Sequence, residues 1–262
     1  MLQRIADAVN LLGRFCGRRD VPELSREQLQ ERFGVGHADV MALFGGSILC
    51  GGDVLAEAMR AGVTHRYVIV GGEGHTTQRL RDIMARELPG FETDGMPEAR
   101  LFAQYLKIRY GLEADFLECA STNCGNNITF LLDLVKKNSV KCDTMSLTQD
   151  ATMQLRMAAG LRQHAPEIKA ISYAAYAAEA EVCGGELAFR DAPRGMWSME
   201  RYITLLMGEI PRLRDDGEGY GPRGRGFIAH VDVPEEAERA FEYLRKRFPD
   251  SVRTANPKYA SR

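Results

Sequence analysis

Five short apolar runs, each separated from the next by amphipathic stretches, constrain this chain more than any other feature. They are Asp39–Phe44 (DVMALF), Arg66–Val70 (RYVIV), Asp115–Ala120 (DFLECA), Thr144–Gln149 (TMSLTQ) and Ile168–Tyr173. Runs this short have strand length, and a nearly continuous apolar character suits strands buried on both faces. The segments between them read as helices: Asp53–Arg60 closed by Gly62, Thr77–Glu87, Pro97–Tyr110, Asn127–Lys137 and Ala151–His164. Alternation of this kind builds right-handed βαβ units. The expectation is a Rossmann-like three-layer α/β fold over residues 37–190, with a five-stranded, mainly parallel sheet.

The two ends of the chain read differently. Leu2, Ile5, Ala6, Val9, Leu12 and Phe15 recur at helical spacing. Ser25 and Gln28 have the form of a capping box, which predicts a helix over Arg26–Phe33. From Trp197 onward the pattern is helical and loop-like, with a linker APRGM before it and a glycine- and charge-rich stretch, RLRDDGEGYGPRGRG. Residues 1–36 and 191–262 are therefore expected to form a smaller, mainly helical lobe beside the sheet.

Composition narrows the class. The 34 Lys and Arg residues against 36 Asp and Glu lack the basic footprint of a nucleic-acid binder. No apolar stretch approaches the roughly twenty residues that span a bilayer, and the first twenty residues do not read as a secretory signal. The six cysteines, Cys16, Cys50, Cys119, Cys124, Cys142 and Cys183, form no C-x-x-C pair, and the five histidines are scattered. Free thiols, a cytoplasmic location and no metal site are the expectation; a protein partner is left open.

Parallel α/β sheets bind ligands outside the carboxyl ends of their strands. Here those ends are small and polar: Gly45-Gly46-Ser47, Gly71-Gly72-Glu73-Gly74-His75, Glu118 with Ser121-Thr122-Asn123-Cys124-Gly125-Asn126-Asn127, and Gln149-Asp150-Ala151-Thr152 with Arg156 one turn on. Glycines admit a close approach of backbone to ligand, and the helices that follow offer N–H groups. Neither G-x-G-x-x-G after the first strand nor a phosphate-loop motif is present, which disfavours a conventional NAD enzyme or P-loop nucleotidase. His75, Glu98 and Asp150 are the candidate acids and bases. Cys124, close to a helix start, is a weaker candidate nucleophile. Glu73 lies where a ribose-binding carboxylate would sit, although an exposed loop glutamate is the commoner reading.

The same motifs carry a nearly full-length resemblance. Gly71-Gly72 with Gly74-His75, Glu98-Ala99, Ser121-Thr122-Asn123-Cys124-Gly125 with Asn127, Gln149-Asp150 with Thr152-Met153-Gln154 and Arg156 are its first part. The run from Glu200 through Pro211-Arg212-Leu213-Arg214-Asp215-Asp216, Gly219-Tyr220-Gly221-Pro222-Arg223-Gly224 and His230-Val231-Asp232 is its second. Together they resemble the YdcF-like branch of the α/β family that also contains SanA and ElyC. The resemblance implies a Rossmann-like domain with a helical portion from both termini, and S-adenosylmethionine as the ligand, with no established reaction. It departs at Asn126, where the family usually carries glutamate.

Three functions stay open on the sequence. The first is binding of S-adenosylmethionine or a related nucleoside at the rim, as a possible transferase of unknown acceptor. Its ligand would touch Gly45, Gly46, Gly71, Gly72, Gly74, His75, Ser121, Thr122, Asn123, Asn127, Asp150 and Thr152, and Arg156 would hold a carboxylate. The second is a hydrolase of phosphate or glycosyl esters using Glu98, Asp150 and His75. The third is a non-catalytic ligand-binding sensor or scaffold.

Overall fold

The computed structural model describes residues 1–46 and 48–251, with Asp250 as backbone only. Ser47 in the first rim junction and the last eleven residues of the expected lobe lie outside the described residues. The sheet strands are β1 (Ala38–Phe44), β2 (Thr64–Val70), β3 (Phe116–Glu118), β4 (Thr144–Thr148) and β5 (Lys169–Ser172). They lie in the order β3-β2-β1-β4-β5 and every pairing is parallel, so the sheet is wholly rather than mainly parallel. This is the Rossmann-like three-layer arrangement, and its order reverses between β1 and β4.

Alternation along each strand sorts the core into two faces. Met41, Leu43, Tyr67, Ile69 and Ile171 pack under α2 (Arg26–Phe33), α3 (Cys50–Ala61), α4 (Thr77–Glu87) and α5 (Glu98–Tyr110). Val40, Ala42, Phe44, Val68, Val70, Met145 and Leu147 pack under α6 (Cys124–Lys137) and α7 (Gln154–His164). The strand registers pair Phe44 with Val70 and Val70 with Glu118, which brings the carboxyl ends of β1, β2 and β3 level at one rim.

A third cluster joins the two ends of the chain. α1 (Leu2–Cys16) packs on α8 (Met199–Leu213) and α9 (Glu235–Arg245), against Ala174–Tyr176, Trp197 and the outer face of α7 through Leu155 and Ala159. The helical spacing read at the N-terminus lands on this surface: Ile5, Ala6, Val9 and Leu12 are buried, and Leu2 and Phe15 are partly so. Gly13 lies under Tyr202, whose hydroxyl would stand 2.6 Å from any added Cβ. No helix among the described residues is long and apolar enough to cross a membrane.

The structure adds one element and moves several ends. β6 (Ala180–Cys183) and β7 (Glu186–Phe189) form an antiparallel hairpin that rests on α1. Gly184 and Gly185, at φ 60° and 85°, supply the two left-handed positions of its turn. The Asn10 side chain holds both the carbonyl (2.8 Å) and the N–H (2.7 Å) of Ala180. α3 and α6 begin three residues earlier than the apolar pattern suggests, because glycine and cysteine start them, and α7 begins at Gln154 rather than Ala151.

Candidate functional site at the carboxyl rim

Glu98, the first residue of α5, is the centre of the rim. Its backbone N–H donates to Gly72 O (2.9 Å) and that of Ala99 to Gly71 O (2.8 Å), which fixes the helix start on the β2 loop. Its side chain then lies across the carboxyl ends of β1 and β2. A Cβ at Gly45 would stand 2.3 Å from Glu98 Cβ and 2.8 Å from Oε2; one at Gly71 would stand 3.0 and 3.2 Å away. These two positions are glycine because the carboxyl group occupies the space of a side chain. Oε1 accepts from Thr77 Oγ1 (2.8 Å) and Thr76 Oγ1 (3.4 Å), and Thr77 Oγ1 itself accepts from Gly74 N (2.7 Å). Burial pushes the carboxyl up to about 7, against the pull of the two threonines and Arg81. An acid near neutrality holds a proton or releases it at physiological pH.

Glu118, at the end of β3, borders the cradle one strand further out. Its Oε1 accepts from Ala120 N (2.6 Å) and Ser121 N (3.0 Å) and folds the turn toward α6. Ser121 O accepts from Gly72 N (3.0 Å), so closely that a Cβ at Gly72 would stand 2.3 Å from that carbonyl. Asn123 caps α6: its Oδ1 accepts from Asn126 N (3.0 Å), and Asn126 Oδ1 accepts from Asn123 Nδ2 (2.8 Å) and Thr122 Oγ1 (3.3 Å). Asn126 thus braces the side chain that caps the helix, a task a neutral amide performs well. Asn127 is nine-tenths buried, and its carboxamide makes no hydrogen bond among the described residues.

The β4 side serves another purpose than the sequence suggests. Asp150, fully buried, accepts from Thr152 N (2.9 Å), Thr152 Oγ1 (2.7 Å), Tyr176 OH (2.9 Å) and Trp197 Nε1 (2.7 Å). Burial raises its pKa while these donors lower it. Its expected role toward a ligand is corrected on geometry, because all four donors come from the chain itself. Thr152 is spent on the same knot. Arg156 is likewise committed: its Nε and Nη2 grip Glu209 at 2.5 and 2.9 Å, joining α7 to α8 rather than awaiting a carboxylate.

A strap, Pro193–Trp197, crosses from β7 to α8 over the start of α3. Arg194 O accepts from Cys50 N (3.3 Å), and Gly195, at φ 76°, lies against the Leu49 backbone. Arg79 of α4 donates to Met196 O (3.0 Å) and stacks over the Trp197 ring at 4.2 Å. The linker of the sequence reading is therefore a pinned cover on one wall of the switch point.

Of the expected site residues, the structure gathers Gly45, Gly71, Gly72, Gly74, Glu98, Ser121, Asn123 and Asn127 along the β1–β2–β3 half of the rim. Gly46 sits toward β4, with Gln149 Nε2 at 3.7 Å from its would-be Cβ. Gln149 is buried at the end of β4 with its carboxamide toward Gly46, and it joins the candidate site. His75 and Thr122 are exposed at its mouth. Glu73 points outward, 3.6 Å from Arg81, with 64% of its side chain exposed. The six cysteines are free thiols, and no cluster of three metal-binding side chains occurs among the described residues. No protein-family model matches the chain.

Proposed function

We propose that the chain is a YdcF-like protein that binds S-adenosylmethionine or a related nucleoside at this rim, with Glu98 toward the cationic centre of the ligand. The observation that carries the reading is the Glu98 carboxyl held against Gly45 and Gly71 at the carboxyl ends of β1 and β2. In its ionised form it offers a negative charge where backbone is thin enough for a sulfonium or ammonium to approach. Among the described residues, the buried polar atoms without partners at the strand ends are a carboxylate oxygen and hydroxyls, those of Glu118, Ser121 and Thr148. The guanidinium of Arg156 is taken by Glu209, and the first N–H of α3 by Arg194 O. That balance favours a zwitterion over a polyphosphate. If the ligand serves as a methyl donor, transfer needs alignment more than acid–base help, which suits a rigid cradle.

Isothermal titration with S-adenosylmethionine, S-adenosylhomocysteine and ATP between pH 5.5 and 8.5 tests the proposal. S-adenosylmethionine affinity is expected to rise with pH as Glu98 ionises near 7, and Glu98→Gln to flatten that rise. Absence of heat with all three ligands overturns it. A second reading, hydrolysis of phosphate or glycosyl esters, rests on the same pKa: a protonated Glu98 would donate to a leaving-group oxygen. It requires the opposite trend, with turnover of an ester panel falling as pH rises above 7.

A further inference from the structure

Two buried polar atoms on the turn that ends β3 lack a partner among the described residues. Glu118 Oε2 and Ser121 Oγ have no hydrogen-bond partner among the described residues, and their residues are only 6% and 2% exposed. The other oxygen of Glu118 already holds the turn through two N–H groups. A carboxylate oxygen and a hydroxyl withdrawn from water and left unmatched are costly, and such groups are kept where something else completes them. Ser146 and Thr148 also keep hydroxyls without a partner among the described residues, but these belong to β4, two strands beyond β2 and away from β3. The Glu118–Ser121 pair is different. It lies on the turn that leads into the capped start of α6, and backbone bonds lace it through Gly71 and Gly72 to Glu98.

We propose that Glu118 and Ser121 form a subsite for a vicinal diol, the ribose of a bound nucleoside. Two neighbouring hydroxyls supply the donors that the pair lacks: one to Glu118 Oε2, the other to Ser121 Oγ. The inference rests on the nucleoside reading above and gives it an orientation. Neighbouring strands lie about 4.8 Å apart. In S-adenosylmethionine the sulfonium is joined to the ribose through a single methylene. A ligand laid across the rim with its sulfonium at the β1–β2 cradle therefore brings its sugar to β3. The Ala120–Asn123 turn must yield to admit it, since both atoms are covered in this structure. The carboxylate that reads the ribose is then the buried Glu118 and not the exposed Glu73.

The test compares S-adenosylhomocysteine with its 2′-deoxy analogue on the wild-type chain, on Glu118→Gln and on Ser121→Ala, each checked for an unchanged melting transition. The wild type is expected to favour the ribo form by about tenfold, the scale of one hydrogen bond to a charged group. Glu118→Gln is expected to erase most of that preference while still binding. A wild type without preference, or a preference that survives in both variants, overturns the subsite. If the wild type binds neither compound, the nucleoside reading fails, and a thermal shift with free ribose against 2-deoxyribose tests the subsite alone. A larger shift with ribose that disappears in Glu118→Gln then supports a diol site for another ligand; equal shifts overturn it.

Discussion

At the scale of single residues, burial decides what each acid does. Glu98 carries a pKa raised from 4.5 to about 7, so the native state keeps a proton that the unfolded chain has already released. Its contribution to stability is therefore complete below about pH 4.5 and is lost as the pH rises to about 7. Glu98→Gln is expected to gain on the wild type over that interval, by about 1–3 kcal/mol at pH 8. Urea denaturation at pH 5 and pH 8 checks it, and an equal difference at both would contradict the assigned titration. Burial raises the Asp150 pKa as well, but here the side chain is spent on donors of the chain itself. Asp150→Ala strands the indole N–H of Trp197, the Tyr176 hydroxyl and two donors of Thr152, and is expected to cost about 3 kcal/mol or more in the same assay. The sequence shows both acids at the rim but not this division of labour. Trp197 lies 47 residues from Asp150, and Glu209 lies 53 from Arg156. Nothing in a local window reveals those partners. The cradle was half legible: Gly45 and Gly71 read as room for a ligand, and the first occupant of that room is Glu98.

Among the elements, the five strands were plain because each carries a short apolar run between helical stretches; β1 and β4 are buried almost throughout, while the edge strand β3 leaves Leu117 exposed. The β6–β7 hairpin escaped because its strands have four residues each and are largely exposed; Gly184-Gly185 between alternating flanks was the available sign. Turns at the rim impose tight limits on sequence. Gly72→Ala would press a methyl onto Ser121 O and Cys119 O, both backbone atoms, and is expected to destabilise by about 1–3 kcal/mol. Circular-dichroism melting measures this. The loop after α8 is tied by charge instead. His230 bridges Asp215 (Nδ1, 2.7 Å) and Asp232 (Nε2, 2.9 Å), while Asp215 also accepts from Arg223 N (2.7 Å). The bonds to Asp232 and Asp215 raise the His230 pKa above its ordinary 6.5. The latch is fully closed below that value and loosens as the pH rises through the raised one. An NMR titration of the imidazole is expected to show the upward shift, and Asp232→Asn to reduce it.

The molecule as a whole is held by its two ends. α1 packs on α8, α9 and the β6–β7 hairpin at once, so removing residues 1–16 uncovers the core around Tyr202, Leu206 and Phe241. The truncated chain is expected to lose its cooperative melting transition and to self-associate on size-exclusion chromatography; a sharp, monomeric transition would refute that. Periodicity announced the helix, whereas its neighbours became visible only in three dimensions. The first turn of α4 has a mechanical consequence. Thr77 holds the Glu98 carboxyl, and two residues later Arg79 holds the strap that leads into α8. The turn works as a short lever with one arm on the cradle and the other on the lobe. A load applied to either arm is felt at the other through a single rigid stretch of helix.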